Sequence, residues 1–557
     1  MRKILYLIIC IFCLNDISTA QIEMQVSDIF NTKRKQNDYI VSSKVDRYGN
    51  MILAGNTEVN DFQDKDYVDR DYLLMKYDLN GKLLWSRTYD GFSRLDTLRS
   101  MCLDDQGNIY VTGASLGNDF RLNALTIKYS KDGEILWVVR DKDVVNSSSA
   151  GIDIAVDKDQ NAYVTGWCDE NDIYDCMLIK YNSRGKILWK KKTNGSANSN
   201  DEGFAIDVSQ NGKYIFMGGV LSETQGYHNY FFSKYDSDGS LKWLTTYDGT
   251  GNARDYVTDI VCDVNGNVYG TGISQGDGTE FDITTLKLSN SGSILWIKRY
   301  NGPGDGDDWA NIIRLDKDNN VYVAGGIEEV TFHDSSDLKF RNDAALIKYN
   351  SDGFFQWIGL YQGPNHFHDC IQWMDFDSEG NIYTAGRTCK NGYSASDDIH
   401  TMKFRKDGTR EWVKIYDGIE NNADYGSNII YNNFSKNIFT IGHTYSIQTG
   451  FDVVLIKYNE KFQVRDLINT GTGTMLSNYP NPFNPVTQIQ YTIPKDDFVK
   501  LNIYDISGRL VKNLFEGNKP AGNYQINFDG SNLSSGVYFY TLQTSSEIIT
   551  NKLILNK

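Results

Sequence analysis

Residues 107–113 read "GNIYVTG", and close variants of this word recur along the chain. The other copies are "GNMILAG" at 49–55, "NAYVTG" at 161–166, "KYIFMGG" at 213–219, "GNVYGTG" at 266–272, "NVYVAGG" at 320–326, "GNIYTAG" at 380–386 and "KNIFTIG" at 436–442. A period in the fifties is too long for an array of helical hairpins and long enough for one four-stranded β-sheet. The sequence therefore predicts eight repeats of one β-structured unit.

Two further words recur with the same period. One ends in "KY" or a close variant, as in "DYLLMKY" at 71–77 and "DVVLIKY" at 452–458. The other is "DxxGxxxW", whose tryptophans are separated by 52, 52, 54, 53, 61 and 55 residues and are Trp85, Trp137, Trp189, Trp243, Trp296, Trp357 and Trp412. The eighth unit has no tryptophan there, and Phe462 lies beside the expected position.

Each unit is predicted to be a four-stranded meander. Strand a is the short apolar run before the turn, such as "GIDIAVD" at 151–157, and strands b, c and d carry the three recurring words. Gly-Asn, Asn-Gly and Asp-Gly pairs join a to b and c to d, as tight hairpins require. Because a closed ring removes exposed sheet edges, we predict an all-β, eight-bladed β-propeller over residues 21–468, with a seven-bladed ring plus an irregular unit as the alternative.

Two segments compete to complete the last sheet of the ring. "IEMQVSDIF" at 22–30 precedes its Gly-Asn turn by about the distance at which the tryptophan strands precede theirs. "KFQVRDLI" at 461–468 follows the eighth unit directly. The sequence leaves both open.

The seven tryptophans allow two interpretations, ligand platforms or packing between neighbouring blades. A large ring at the same place in seven repeats favours packing. Burial of an indole removes roughly 150–250 Å² from water. We therefore expect replacement of Trp137 by alanine to cost about 3–5 kcal/mol.

The repeat words resemble the SBBP type of β-propeller repeat, "D..GNIYVTG....D.....KY...G...W", over about residues 38–468. The resemblance implies the propeller architecture. It also implies a cell-surface or extracellular module, and it gives little information about a ligand.

The meander places the b–c and d–a loops on one face of the ring. These loops are longer and more varied, above all at 56–70 and 327–342, so a binding site is expected there or at the mouth of the central channel. An aspartate precedes strand a in seven units: Asp38, Asp96, Asp201, Asp255, Asp308, Asp369 and Asp424, with Ser149 in the remaining unit. These carboxylates either cap backbone N–H groups of their own turns or form a ring that binds a cation or polar ligand.

Two weaker metal patterns occur on the same face. Asp305, Asp307 and Asp308 in "NGPGDGDDW" offer oxygen ligands to Ca²⁺, although the twelve-position Ca²⁺ loop is absent. His366 and His368, with Asp369 and either His333 or His400, outline a second site without definite ligand spacing. An ordinary surface loop is the simpler interpretation of both.

Six cysteines follow the N-terminal segment, and an exported chain can oxidise them. Cys370 and Cys389 flank the "DSEGN" turn almost symmetrically, so the sequence predicts that they face each other across a hairpin. Cys168 and Cys176 flank a b–c loop in a similar way. We predict that each pair is close enough to form a disulfide, with Cys102 and Cys262 as buried free thiols.

The N-terminus has the pattern of a secretory signal. Arg2 and Lys3 precede an apolar run from Ile4 to Leu14, and Ser18 and Ala20 supply small side chains for cleavage before Gln21. Residues 1–20 and residues 475–557 each carry a net charge of +1, which leaves −18 for the residues between. An acidic surface repels phosphate backbones, so no nucleic-acid partner is expected, and no transmembrane segment is predicted.

After a linker at 469–475, residues 476–557 change in composition and predict a small antiparallel β-sandwich of the Ig-like kind. "NYPNPFNP", "VKLNIYDISGRLVKNL", "AGNYQINFDGSNLSSGVYFYTLQT" and "TNKLILNK" resemble, in order, the type A C-terminal sorting domain of type IX secretion cargo. The resemblance implies passage through the Sec translocon, outer-membrane export, and often removal of this domain with attachment to surface lipopolysaccharide. The stretch Asn478–Pro485 and the turns at Gly508, Gly522 and Gly536 are the residues it offers to that machinery.

Two functional classes remain open at this stage. The favoured one is a secreted or cell-surface binding module for a glycan or a protein, with no required cofactor. The alternative is a propeller enzyme that acts on extracellular polysaccharide, or a quinoprotein-like oxidoreductase, since quinoproteins also repeat "GKxxW" words. No catalytic triad, nucleophile elbow, P-loop or dinucleotide fingerprint occurs in the sequence.

Overall fold

The computed structural model describes residues 21–32, 37–59, 69–91, 94–141, 147–170, 173–224, 227–251, 253–304, 306–328, 342–364, 367–389, 397–418, 420, 422–461, 475–506, 508–545 and 548–557. Every regular element in these ranges is a β-strand, which confirms the all-β prediction. None of the described residues forms a helix that could cross a membrane. Glu23–Asn459 is one compact unit, and the strands from Met475 onward belong to a second.

The described part of the repeat region contains eight four-stranded sheets, numbered 1 to 8. Sheets 1 to 4 comprise, in spatial order, β2 (Asp38–Val45), β3 (Met51–Val59), β4 (Asp69–Tyr77) and β5 (Leu83–Tyr89); β6 (Asp96–Leu103), β7 (Ile109–Leu116), β8 (Leu122–Tyr129) and β9 (Ile135–Arg140); β10 (Ser149–Val156), β11 (Ala162–Glu170), β12 (Ile173–Tyr181) and β13 (Ile187–Thr193); β14 (Glu202–Val208), β15 (Tyr214–Thr224), β16 (Tyr227–Asp236) and β17 (Leu241–Tyr247).

Sheets 5 to 8 have the same order of inner to outer strands. They comprise β18 (Asp255–Cys262), β19 (Val268–Gln275), β20 (Phe281–Leu288) and β21 (Ile294–Tyr300); β22 (Trp309–Leu315), β23 (Val321–Glu328), β24 (Asn342–Tyr349) and β25 (Phe355–Tyr361); β26 (Asp369–Phe376), β27 (Ile382–Cys389), β28 (Asp397–Phe404) and β29 (Arg410–Tyr416); β30 (Asp424–Tyr431), β31 (Ile438–Ser446), β32 (Gly450–Lys461) and β1 (Gln21–Phe30).

The first strand of the chain is the outer strand of sheet 8. Its Ser27 hydroxyl donates to the carbonyl oxygen of Gly81 in sheet 1 at 3.0 Å, and the Tyr77 hydroxyl donates to Asp28 Oδ2 at 3.0 Å. Of the two segments that competed for this place, the N-terminal one therefore occupies it. Residues 462–468 of the other lie outside the described residues.

Adjacent sheets share apolar cores. Ile40, Leu53 and Leu73 of sheet 1 pack with Phe439 and Val453 of sheet 8, just as neighbouring sheets pack elsewhere. The inner strands also contact each other in a closed cycle, from β2 through β6, β10, β14, β18, β22, β26 and β30 back to β2. Each sheet therefore shields both of its apolar faces against neighbours, and the arrangement is propeller-like.

The residues of "GNIYVTG" are required by different contacts. Gly107 has φ +84 in the tight turn, and Asn108 donates its side-chain N–H to Asp104 Oδ2 at 2.8 Å. Ile109 and Val111 face sheet 1, whereas Tyr110 faces sheet 3. A β-bulge in β6 brings the Thr97 carbonyl oxygen to 2.0 Å from where a Cβ of Gly113 would lie, so only glycine fits there.

The recurring tryptophans pack between sheets, but their indoles are half-buried rather than fully buried. Trp189 donates its indole N–H to the Ser237 carbonyl oxygen at 3.2 Å, and Lys180 donates to the same oxygen at 2.7 Å. Ser237 lies in the c–d turn of the next sheet. The "K" and "W" of the repeat therefore anchor one sheet to the next, and the cost of removing a tryptophan should be below our expectation for a fully buried ring.

The C-terminal unit contains two antiparallel sheets around one core. One is β33 (Met475–Tyr479), β34 (Val486–Ile493) and β37 (Gly522–Asp529), and the other is β36 (Leu510–Lys519), β35 (Asp497–Asp505), β38 (Gly536–Gln543) and β39 (Ile548–Leu555). Ile489, Leu501, Leu542 and Leu553 from both sheets are fully buried in the shared core. The strand β33 was not expected from the sequence, since Met475 closes the predicted linker.

Candidate functional site

The seven aspartates that precede strand a are buried, with exposed fractions of 0–1%. Six of them accept the backbone N–H of a glycine five or six residues upstream in the d–a loop, as in Asp369 Oδ2 with Gly363 N and Asp424 Oδ2 with Gly418 N, both at 2.5 Å. Asp38 accepts Thr32 N at 3.0 Å instead. These contacts correspond to the turn-capping interpretation rather than to an open carboxylate ring.

Burial dominates the electrostatics of these carboxylates. Desolvation raises the pKa of Asp38 and Asp96 to about 6 and the pKa of Asp308 and Asp369 to about 7, against the lowering effect of their hydrogen bonds. A buried carboxyl group that takes up a proton near neutral pH is a weak cation ligand there. It still serves as a hydrogen-bond acceptor for the loop.

Within the described residues, two clusters of three carboxylates have ligand atoms within 4.8 Å of one another. Asp71, Asp90 and Asp96 form the first, and the Arg140 guanidinium exerts a stabilising charge on Asp96 there. A cluster of Asp398, Asp417 and Asp424 lies at the equivalent place between sheets 7 and 8. Oxygen ligands of this kind suit a hard divalent cation.

The predicted Ca²⁺ set does not converge in its described part. Asp305 lies outside the described residues. Asp308 uses both carboxylate oxygens on the backbone N–H groups of Gly302 and Glu328, while exposed Asp307 accepts Phe281 N at 3.4 Å. The two described carboxylates thus accept different backbone N–H groups, from their own loop and from the neighbouring strands β20 and β23.

The described histidines of the predicted metal site also have separate partners. His366 and His333 lie outside the described residues. His368 Nδ1 pairs with Asn342 Oδ1 at 2.9 Å, and His400 is fully buried in β28 with Nε2 at 2.9 Å from the Cys370 carbonyl oxygen. Burial lowers the pKa of His400 to about 4, so its ring is neutral. His400 is a core residue of sheet 7.

The two predicted disulfides do not form, because all six described cysteines are free thiols. A bulge in β26 shifts the register so that Cys370 lies opposite Arg387, two residues before Cys389. In sheet 3, Cys176 lies opposite Trp167, so it and Cys168 point to opposite faces of the sheet. Turn symmetry predicted both pairs, and the strand register overrides it.

A cluster of aromatic side chains occupies the loop face where sheets 8 and 1 meet. The Phe451 ring lies 5.8 Å from Tyr39, 5.5 Å from Tyr425 and 5.1 Å from Tyr445, measured between ring centroids. All four rings are half-buried. We call these four residues the aromatic cluster, and together they present partly exposed ring faces and edges at the start of the inner strands.

Polar residues hold the aromatic cluster in place. His443 Nε2 accepts Ile40 N at 2.7 Å, and burial lowers the pKa of His443 to about 4, so it acts as a neutral acceptor. Asn37 Oδ1 accepts Phe451 N at 2.9 Å, and its amide donates to Glu58 Oε2 at 2.6 Å. These hydrogen bonds fix the backbone at Ile40, next to Tyr39, and at Phe451.

Sequence reasoning missed the aromatic cluster, although a signal exists. An aromatic residue directly follows the recurring aspartate in four units, at Tyr39, Tyr256, Trp309 and Tyr425. Two of these four residues belong to the cluster. The other contributors, Tyr445 and Phe451, flank the b–c turn of sheet 8, and they meet Tyr39 of β2 only because the ring closes.

The inner strands also carry a group of charged residues that face the axis of the ring. Asp153, Asp207, Asp259 and Asp375 each accept a backbone N–H from the inner strand of the next sheet, as in Asp207 Oδ2 with Cys262 N at 2.8 Å. Arg314 pairs with Asp259 at 2.8 Å. Burial lowers the pKa of Lys44, and the charge of Arg314 lowers it further, against the opposing effect of Asp153 and Asp259.

Comparison with known proteins identifies one part of the chain. Residues 477–556 match the family described as "Secretion system C-terminal sorting domain". This match indicates that the protein is secreted, and it supports the predicted contact with the type IX machinery. No curated protein matches the chain significantly.

Solved structures share only a distant likeness with the chain. A eukaryotic initiation factor is 7% identical, with 68% of this chain and 88% of that chain covered and a TM-score of 0.36. The periplasmic gluconolactonase PpgL of Pseudomonas aeruginosa is 9% identical, with 75% and 98% covered and a TM-score of 0.38. The polysaccharide lyase Uly1 is 12% identical, with 65% and 90% covered and a TM-score of 0.38. These scores support no statement about activity.

Proposed function

We propose that the chain is an exported eight-bladed β-propeller of the SBBP type that binds an extracellular ligand on its loop face. Its Ig-like C-terminal domain directs type IX secretion and display at, or release from, the outer-membrane surface. The eight sheets and their closed cycle of contacts support the blade count. The sorting-domain match supports the route.

The aromatic cluster is the observation that carries the binding role. Partly exposed aromatic rings on a fixed scaffold offer large contact area at low entropic cost, which suits a glycan ring or an aromatic-rich protein surface. Tyr39, Tyr425, Tyr445 and Phe451 come from two sheets and lie among hydrogen-bonded polar residues. A packing role alone does not require such partly exposed rings on the loop face.

Binding is tested with a glycan array and a surface-protein array probed with the mature chain and with Phe451→Ala. We expect the variant to remain folded, since Phe451 is only half-buried, and to lose binding by at least tenfold. Phe354→Ala is the matched control, because Phe354 is 65% exposed and lies in a c–d turn on the opposite face. Equal loss in both variants, or none in either, would refute this site.

Export is tested separately by deletion of residues 476–557. The truncated chain should accumulate in the periplasm, while the full chain reaches the surface or the medium. Mass spectrometry of the mature C-terminus then shows whether the sorting domain is removed. Surface delivery of the truncated chain would contradict the sorting role.

A second candidate function is a propeller enzyme, and the charged inner strands favour it. Four aspartates with Lys44 and Arg314 converge on the axis, and burial raises the pKa of Asp153, Asp207, Asp259 and Asp375. Perturbed groups in a channel are typical of acid–base sites. Turnover of polysaccharide that is lost in Asp259→Asn, or quinone absorbance in the purified protein, would favour this class over the binding module.

A further inference from the structure

One lysine side chain reaches the axis of the ring. Lys44 lies on β2, the inner strand of sheet 1. The charges of Asp153, Asp259 and Arg314, on sheets 3, 5 and 6, all act on its amine, and the charge of Lys44 acts in turn on Asp375 of sheet 7. Groups on so many sides of the ring affect one amine only when that amine lies between them. The Lys44 amine is therefore in the central channel.

The Lys44 amine has no counter-ion. It forms no hydrogen bond or ion pair with the residues that the structure describes, and its side chain is partly exposed to solvent. The carboxylates around it bind backbone groups instead: Asp153 Oδ2 accepts Ile206 N at 3.0 Å, and Asp259 Oδ2 accepts Ile313 N at 3.0 Å. A small molecule that enters the channel therefore meets an amine that no protein group holds.

Arg314 places a second, permanent positive charge in the channel. Its Nη1 lies 2.8 Å from Asp259 Oδ2 and donates to the Ile313 carbonyl oxygen at 2.7 Å, and its Cζ lies 5.0 Å from the centre of the Trp373 ring. Burial lowers the pKa of Lys44 most, and the Arg314 charge lowers it further, against the opposing effect of the nearby acidic groups. Burial and a neighbouring cation are the two means by which proteins make a lysine nucleophilic at neutral pH.

The same part of the channel contains groups that hold and release protons. Burial is the main cause that raises the pKa of Asp153, Asp259 and Asp375, so these carboxyl groups take up a proton more readily than exposed aspartates do. Burial also raises the pKa of Cys102, against the effect of the Lys44 charge, so this thiol stays protonated and is a poor nucleophile. The channel thus combines one nucleophilic amine with carboxyl groups suited to acid–base catalysis.

We propose that Lys44 forms an imine with the aldehyde group of a small compound that enters the central channel. The unprotonated nitrogen adds to the carbonyl carbon, the C=O π bond breaks, and the oxygen takes up a proton while the nitrogen releases one. A carboxyl group then protonates the new hydroxyl group, which leaves as water as the C=N bond forms. Amine and aldehyde give imine and water, with no change in oxidation state. This reaction does not depend on the ligand of the aromatic cluster.

Reductive trapping tests the reaction in the unmodified protein. The mature chain is incubated at pH 7 with glyceraldehyde and sodium cyanoborohydride, which reduces an imine to a stable secondary amine. Peptide mass spectrometry then gives the labelling rate of each lysine. Lys131 is the internal reference, because its side chain is 50% exposed. We expect Lys44 to be labelled at least tenfold faster than Lys131, although it is the less exposed of the two.

Variants of two arginines test why Lys44 is reactive. Arg314→Gln removes the neighbouring cation and keeps an N–H donor for Asp259, so it should slow the labelling of Lys44 at least fivefold at pH 7. Arg47→Gln is the matched control, because Arg47 is an exposed arginine just after β2, and it should change the rate less than twofold. The ratio of the Lys44 rate to the Lys131 rate should fall as the pH rises from 6 to 9, because an amine with a lowered pKa loses its proton first.

Labelling of Lys44 at or below the rate of Lys131 in the wild type overturns the proposal, whether or not the variants fold. Fast labelling that slows in Arg314→Gln and not in Arg47→Gln supports it, and an equal change in both variants overturns it. A rate ratio that is constant between pH 6 and pH 9 also overturns it. Array binding by Phe451→Ala is a separate measurement, so the failure of either proposal leaves the other intact.

Discussion

The Ser27 hydroxyl donates to the Gly81 carbonyl oxygen at 3.0 Å, across 54 residues of sequence. In the other sheets the equivalent turn glycine lies against the tryptophan of the preceding sheet, as Gly185 lies against Trp137. Ser27 thus stands where six other sheets place an indole over the next turn. An open surface groove of about 390 Å³, lined by Ser27, Asp28, Asn80, Gly81, Lys82 and Leu83, remains beside it.

Replacement of Ser27 by tryptophan should therefore stabilise the ring at its closure. The indole would pack on the Gly81 turn as the tryptophans pack on the equivalent turns, and a stabilising substitution of this kind commonly adds about 0.5–2 kcal/mol to the free energy of unfolding. Thermal and denaturant unfolding of Ser27→Trp measures the gain. Ser27→Ala, which only removes the hydrogen bond, serves as the control, and a tryptophan variant less stable than that control would show that the closure differs from the other boundaries.

Gly185 tests the packing between sheets 2 and 3. It has φ +80, and a Cβ there would lie 2.8 Å from Trp137 Cδ2. Gly278 has φ +81 with no heavy atom within 4 Å of its Cβ position. Both alanine variants incur backbone strain of about 1 kcal/mol. Gly185→Ala should lower the free energy of unfolding by a further 1–3 kcal/mol or so, because the indole must move.

The test compares the loss in free energy of unfolding of Gly185→Ala with that of Gly278→Ala. It is read from denaturant midpoints at equal slope. Equal losses at both positions would mean that the tryptophan does not pack on the turn.

Removal of the Trp137 ring tests the same boundary from the other side. The half-buried indole donates to the Ser183 carbonyl oxygen at 3.2 Å and stacks on Tyr181 at 5.9 Å. We expect Trp137→Ala to cost about 2 kcal/mol, less than the 3–5 kcal/mol of a fully buried ring. Trp137→Phe keeps the stacking and should cost about 1 kcal/mol, the share of one hydrogen bond. An unchanged melting temperature in the alanine variant would contradict the packing role.

The buried loop carboxylates predict a fall in stability as the pH rises. Burial raises the pKa of Asp369 from its ordinary 3.8 to about 7. The folded state therefore keeps a proton that the unfolded chain has released, and this contribution is full below about pH 4 and lost as pH rises through about 7. Asp369→Asn is neutral at every pH and should remove its share of the fall, up to about 4 kcal/mol between pH 4 and 8.

Urea unfolding of the wild type and Asp369→Asn at pH 5 and pH 8 measures this difference. Asp132→Asn is the control, since Asp132 is a surface residue with a 70% exposed side chain. Parallel pH profiles for the wild type and Asp369→Asn would show that the carboxyl group is ionised in the folded state.

Repeat spacing and turn residues predicted most strands of the repeat region, because the recurring residues form local turns. Asp104, Gly107 and Asn108 form one hydrogen-bonded turn, and that turn sets the strands on either side. The N-terminal strand was a candidate for closure because its offset from the next turn matched the repeat. The same offset places Ser27 at the tryptophan position, because Ser27 precedes Gly49 by as many residues as Trp85 precedes Gly107.

The strand register and the contacts between residues of distant repeats could not be predicted from the sequence. The hairpin register, which pairs Phe376 with Ile382, would already place Cys370 opposite Thr388, and the bulge in β26 moves it one residue further, to Arg387. In the aromatic cluster, Tyr39 lies against Phe451. Among the charged residues of the inner strands, Lys44 lies near residues of sheets 3, 5, 6 and 7. Such neighbours lie hundreds of residues apart, so only the closed ring brings them together.

Amide hydrogen exchange across residues 23–30 tests the closed ring most directly. In our account β1 is hydrogen-bonded to β32 in sheet 8, so these amides should exchange as slowly as those of the outer strands β5 and β9. Replacement of Val454 by aspartate in the core of sheet 8 should speed exchange in β1 and in β32 together. Exchange of residues 23–30 at the rate of an unstructured chain in the wild type would contradict the account.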